Sequence, residues 1–182
     1  MARTAIFLAD GFEEIEALTV VDVLRRAGIE IVMTSIMGRL DVTGSHGIKV
    51  EADELFENLD FSELDMIILP GGQPGTTNLY GFEPLKEEIR KFNSEKKMLS
   101  AICAAPTVYG RMGLLDGMGA CCYPGCEGDL GKAIVSEDEV TIDGNFITSR
   151  GMGTAIPFAL AIMGHFMGDE AADEMAAKIV YR

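Results

Sequence analysis

A chain of 182 residues, 48% hydrophobic and 24% charged, carries enough apolar material to close a core without metals or disulfides and lies outside the disordered class. Its 15 basic and 29 acidic residues leave a formal net charge of -14, a field that repels phosphate backbones and anionic lipid, which argues against nucleic-acid and membrane partners. No apolar run approaches the roughly 20 residues of a spanning helix, and the N-terminus enters a strand-like segment without a cleavage pattern, so the expectation is a single domain over 1–182, soluble and cytoplasmic.

Thr4-Ala5-Ile6-Phe7-Leu8-Ala9 is a short apolar run closed by Asp10-Gly11, the pattern of a buried parallel strand. Behind it, residues 15–25 alternate faces at helical spacing until Ala27-Gly28 offers a stop. Residues 29–35 read as a second strand, and 42–50 as two polar, glycine-bearing extended pieces forming a hairpin outside the main sheet. Met66-Ile67-Ile68-Leu69 is a third strand, closed by Pro70-Gly71-Gly72, and Pro84 suits the first turn of a helix running to about Phe92. A fourth strand, Met98-Leu99-Ser100-Ala101-Ile102, is followed directly by Cys103, before Pro106 opens another helix ending near Gly113. Residues 119–122 and 140–149 look extended, the latter folded about Asp143-Gly144. Two amphipathic helices over 154–167 and 169–179 finish the chain.

Repeated strand and helix alternation predicts an α/β fold whose mostly parallel sheet is covered on both faces. Ligands of such sheets bind outside the carboxyl ends of the strands, which directs attention to the loops after Ala9, Leu69 and Ile102. A thiol is nucleophilic as its thiolate. Cys103 stands just ahead of a helix, where unpaired N–H groups and the dipole favour an anion. The amide of Ala104 and one from the Gly71-Gly72 turn form a candidate oxyanion site. The competing reading of Cys103 is an inert core residue.

Three stretches together resemble the DJ-1 branch of the ThiJ/PfpI superfamily: Asp10-Gly11-Phe12-Glu13-Glu14-Ile15-Glu16, Leu69-Pro70-Gly71-Gly72 and Ala101-Ile102-Cys103-Ala104-Ala105-Pro106. Thr148-Ser149-Arg150-Gly151-Met152-Gly153-Thr154 adds a fourth. The resemblance implies a flavodoxin-like three-layer sandwich, a homodimer without cofactor or metal, Cys103 as nucleophile on a strained elbow, and Glu16 beside its sulfur as a protonated partner that shuttles a proton. Gly72 and Ala104 fall at the oxyanion positions. His46, Arg25, Arg26 and Arg150 fall where second-shell or dimer contacts are expected. Without the resemblance, Glu13, Glu14 and Glu16 read as acidic residues of a first helical turn, and Arg25 and Arg26 as complements of the same dipole; with it, Glu13 and Glu14 stay solvent or capping residues.

The chain departs from that pattern at its histidines. Animal members carry one in the loop after the strand corresponding to residues 120–124, and peptidase-like relatives carry one directly after the cysteine. Here Ala104 follows Cys103 and the two histidines are His46 and His165, which argues against a Cys-His peptidase pair. His165, on an apolar helix, reads as a packed or rim side chain. Cys121, Cys122 and Cys126 lack the two separated pairs of a zinc site; Cys122 and Cys126 read as two thiols packed under a loop, or as supplying a resolving thiol for an oxidised Cys103. Residues 70–76 lack the lysine of a phosphate loop. Two functions follow from the resemblance: a glyoxalase or deglycase acting on small dicarbonyls such as methylglyoxal or on early glycation adducts, and an oxidative-stress sensor, or chaperone-like protein, working through oxidation of Cys103. A flavin carrier, suggested by fold alone, has no residue support.

Overall fold

The computed structural model describes residues 2–181. In chain order it contains β1 (Arg3–Leu8), α1 (Glu14–Arg26), β2 (Glu30–Ser35), β3 (Asp41–Thr43), β4 (Lys49–Glu51), β5 (Glu54–Leu55) and β6 (Met66–Leu69). There follow α2 (Gly75–Gly81), α3 (Glu83–Glu95), β7 (Met98–Ile102), α4 (Pro106–Arg111), β8 (Gly119–Ala120) and β9 (Ile134–Val135). The chain closes with β10 (Val140–Asp143), β11 (Phe146–Ser149), α5 (Ala155–Met167) and α6 (Asp169–Lys178).

Seven strands form the central sheet in the order β10-β11-β7-β6-β1-β2-β5. Every pairing is parallel except that of β10 with β11, the hairpin that Asp143-Gly144 foretold. β3 and β4 make a separate antiparallel pair, as their polar, glycine-bearing sequence predicts. The side-chain period of two divides the apolar strands between the faces. Ile6, Leu8, Met66, Ile68 and Ile102 meet Val20, Leu24 and Phe158 of α1 and α5. Ala5, Phe7, Ile67, Leu69 and Leu99 meet Leu85, Ile89, Phe92 and Tyr109 of α3 and α4.

The helix termini follow local chemistry. Glu13 caps α1, its carboxylate accepting the Glu16 N–H at 2.7 Å. Gly28, at φ 76, ends it in the left-handed conformation that glycine adopts without steric cost. Three elements are additional to those read from the sequence. α2 begins Gly-Thr-Thr-Asn, poor helix formers, and forms where Thr76 and Leu79 are buried against its neighbours. β5 and β9 are two residues each, too short to show a period. The extended segment at residue 119 is a strand only to Ala120, since the Cys121 N–H turns to the Thr148 hydroxyl at 3.0 Å.

β6 is bracketed by β1 and β7, and its Ile68 is fully buried. Ile68→Ala is expected to cost about 2–5 kcal/mol through lost burial and the cavity left behind. Ile142→Ala, at a site 58% exposed, should stay within about 0.5 kcal/mol. Urea unfolding of the two variants checks this; equal losses would overturn the placement of β6 at the centre of the core.

Candidate active site

β1, β6 and β7 lie side by side and run the same way, so the loops that leave their carboxyl ends meet at one rim. The chain moves from β1 to β2 on one side and to β6 on the other, which makes this rim the switch point at which open α/β sheets bind ligands.

Cys103 leaves β7 with φ 66, a left-handed conformation that costs a residue bearing a Cβ on the order of 1 kcal/mol or more. The surrounding chain holds it there. The Cys103 N–H donates to the Ser149 carbonyl at 3.0 Å, and its carbonyl accepts the Tyr123 N–H at 2.7 Å. The backbone N–H groups of Ala104 and Gly72 both bond the sulfur, which brings together the two amides singled out in the sequence. The helix opened by Pro106 is only six residues long, so the positive potential at the sulfur comes from these two amides rather than from a long helix dipole.

Glu16 sits in the first turn of α1 and is 1% exposed. Its Oε2 accepts the Gly71 N–H at 3.0 Å, and its carboxyl shares a hydrogen bond with Cys103. A Cβ on Gly71 would lie 2.5 Å from Glu16 Oε2 and 2.6 Å from Cys103 Cβ, so only glycine lets the β6 loop pass between the two acids. Burial pushes the Glu16 carboxyl up to about 7; the charge of Glu13 adds to the rise, while the hydrogen bonds from Cys103 and the Gly71 amide oppose it. Burial, then the charge and hydrogen bond of Glu16, push the Cys103 thiol up to about 12, against the pull of the two amides. This departs from the lowered thiol expected at a helix N-terminus. The pair gives up one proton near neutrality and resists giving up the second.

Other candidates fall elsewhere. Arg25 and Arg26 lie at the opposite end of α1, roughly 15 Å along its axis from Glu16 at the usual rise per residue, and pair with Asp53 and Asp22. These pairings hold both side chains at the end of α1 away from Cys103. His46 is exposed, with Nδ1 3.0 Å from Glu14 Oε2. Glu14 is not a solvent residue: it is buried, and its carboxylate accepts the N–H groups of His46 at 2.8 Å and Ile48 at 3.4 Å, fastening the β3–β4 loop to α1. Burial pushes this carboxyl up, but the His46 and Ile48 hydrogen bonds outweigh it and hold it below the usual range. The Glu13, Glu14 and His46 ligand atoms lie within 4.8 Å of one another; both carboxylates are already engaged by the bonds just described. No such group among the described residues includes Cys121, Cys122 and Cys126. His165 stacks edge-on against Phe166 on α5.

Arg150 donates to the Glu137 carbonyl at 3.1 Å and lines a cavity of about 290 Å³ with Tyr123, Pro124, Gly151, Met152 and Thr154. A Cβ on Gly151 would stand 4.0 Å from Glu16 Oε1 and 3.4 Å from the Tyr123 ring, so this cavity adjoins the acid pair. Tyr123 carried no recognisable signal in the sequence; its position depends on the bond to the Cys103 carbonyl.

The raised Glu16 has a sign that can be measured. Unfolded, the carboxyl ionises near 4.5; folded, near 7. The unfolded chain therefore loses this proton first, and stability falls as pH rises from about 4.5 to about 7 and stays lost above that range. Glu16→Gln, which keeps an acceptor for the Gly71 N–H, should gain about 3 kcal/mol over the parent at pH 8 relative to their difference at pH 4, at 1.36 kcal/mol per pKa unit. Urea unfolding at both pH values checks it; an equal difference at the two would overturn the raised carboxyl.

The DJ-1/PfpI family model matches residues 2–165. Protein DJ-1 homolog B of Arabidopsis thaliana is 37% identical over 99% of this chain and 42% of its own length, so the chain spans less than half of that relative. A deglycase of Pyrococcus abyssi is 35% identical over 81% of this chain and 89% of its own. The crystal structure of a cysteine-to-alanine mutant of a DJ-1 superfamily protein from Salmonella typhimurium superposes with a TM-score of 0.96 at 29% identity, covering all of both chains. With the family model matching most of its length and a solved structure of the superfamily superposing along all of it, the chain belongs to the DJ-1/PfpI family.

Proposed function

We propose that this protein is a cysteine-dependent enzyme of the deglycase and glyoxalase type, acting without cofactor on small reactive dicarbonyls or their early glycation adducts. The observation that carries the reading is the buried Glu16 carboxyl hydrogen-bonded to Cys103, with the Gly72 and Ala104 amides on the same sulfur. A relative at 35% identity is named a deglycase, which supports the same class.

Near neutrality the pair holds one proton and one negative charge, with the charge on the Glu16 carboxylate and the proton on the Cys103 sulfur; Cys103 attacks as thiolate once that proton has passed across their hydrogen bond to Glu16, which then carries it. With methylglyoxal, the sulfur bonds to the aldehyde carbon, and the π electrons pass to its oxygen, which takes the Glu16 proton. This gives a hemithioacetal and a Glu16 carboxylate. The carboxylate then removes the hydrogen on the sulfur-bearing carbon and returns it to the neighbouring carbonyl carbon through an enediol. The former aldehyde carbon ends as a thioester carbonyl and the ketone as an alcohol; oxidation of one carbon balances reduction of the other. Water hydrolyses the thioester to lactate and frees the thiol. The Ala104 and Gly72 amides face the region where negative charge develops.

Purified protein incubated with methylglyoxal in the absence of glutathione should form lactate over many equivalents. Cys103→Ala should abolish the activity, and Glu16→Gln should lower it by about 10²–10⁴-fold. kcat/KM should rise through pH 7 as the pair releases its first proton. Lactate limited to one equivalent would overturn the reading and favour a thiol whose oxidised form is held by the same amides.

A further inference from the structure

Two thiols next to this site have no part in the chemistry above. Cys122 precedes a turn over residues 123–126 that is closed by the Cys126 N–H donating to the Tyr123 carbonyl at 3.0 Å. Cys122 Sγ lies 3.4 Å from that same carbonyl oxygen, so the sulfur and the Cys126 backbone converge on one atom. Both side chains pack on the core beneath α3 and α4, Cys122 buried and Cys126 partly exposed. Cys121 is fully buried and its Sγ lies 3.7 Å from the Thr148 hydroxyl, apart from this pair.

We propose that Cys122 and Cys126 form a second redox site, a dithiol that closes to a disulfide across the turn and thereby fixes the rim of the Cys103 pocket. The Cys122 sulfur and the Cys126 N–H reach the same carbonyl oxygen from 3.4 and 3.0 Å, which brings the two residues into the range a disulfide spans, and Gly125, at φ 97 with open space around it, leaves the turn room to adjust. Cys126 is the attacking thiol because it is the more exposed of the two; burial and the charges of Glu127 and Asp129 push its thiol up, with the Arg111 guanidinium opposing them. Its thiolate bonds one sulfur of a small disulfide such as glutathione disulfide and expels the first glutathione thiol. Cys122 then attacks Cys126 Sγ and expels the second. Two protein thiols become one disulfide, one small disulfide becomes two thiols, and no other oxidant is required.

The turn carries Tyr123, whose N–H holds the Cys103 carbonyl and whose ring lies over Gly151 beside Glu16 Oε1. Closing the ring holds that side chain across the approach to the acid pair. The inference concerns access to Cys103 and stands whether or not Cys103 turns over a carbonyl.

The test equilibrates the protein in glutathione buffers from reducing to oxidising, quenches free thiols, and reads the tryptic peptides by mass. The peptide of residues 112–132 should lose two hydrogens in the oxidised sample of the parent and of Cys121→Ser, and lose none in Cys122→Ser or Cys126→Ser. Iodoacetamide labelling of Cys103, read on the separate peptide of residues 98–111, should be several-fold slower in the oxidised parent, with the difference absent in Cys126→Ser. Circular dichroism confirms that each variant is folded, and Cys126→Ala serves as a second variant. Only mixed disulfides with glutathione, a bridge that includes Cys103 or Cys121, or a bridge that leaves Cys103 labelling unchanged or faster would each overturn the proposal.

Discussion

Glu16 and Cys103 occupy a volume that tolerates one negative charge. Both are withdrawn from water and they share a hydrogen bond, which favours the Glu16 carboxylate, while the charge and hydrogen bond of Glu16 oppose ionisation of Cys103. The rest of the rim depends on that constraint. The Gly71 loop must pass between the two acids, which excludes a side chain there. The amides of Gly71, Gly72 and Ala104 must supply the positive potential, because among the described residues no cationic side chain bonds either acid. α1 must begin where it does so that its first turn delivers Glu16 to the elbow, and Glu13 fixes that start by capping it. The arrangement costs stability at neutral pH and provides a proton that can move at neutral pH.

The strands that carry this site are among the easiest elements to read. Each is a short apolar run ended by glycine or proline, and a parallel sheet makes the ends of such runs the place where ligands bind. Cys103 and the Gly71-Gly72 turn follow from that logic. Glu16 does not follow from it, since any acidic residue suits a first helical turn; its reading needed the motif around Cys103 as well.

What stayed illegible was decided by contacts far apart in sequence. Glu14 has the same local credentials as Glu13, yet Glu13 caps a helix and Glu14 is buried under a loop more than thirty residues away. Arg25 and Arg26 are close to Glu16 in sequence, and one straight helix puts them at the opposite end of the molecule's first layer. The weight of the thiol's surroundings was also hidden: a helix start predicts a lowered pKa, whereas burial and a neighbouring carboxyl win over two amides. α2 formed against its propensities because the floor it covers is apolar, a case of packing overriding local preference.

The elbow is tied by its N–H to Ser149 and by its carbonyl to Tyr123, two segments that both come later in the chain than Cys103 itself. While the polypeptide is being synthesised, β7 therefore emerges with its thiol on an ordinary strand end, and the left-handed turn is not held on both sides until Tyr123 and then β11 have been added. Contacts of such sequence separation form late, after the entropy of closing the intervening loop has been met. During that interval the elbow lacks the bonds that hold it and the pocket lacks its rim, and the cysteine behaves as any exposed thiol. The reactivity that defines the finished protein is thus a property of the whole sheet, acquired at the end of folding rather than inherited from the motif around the residue.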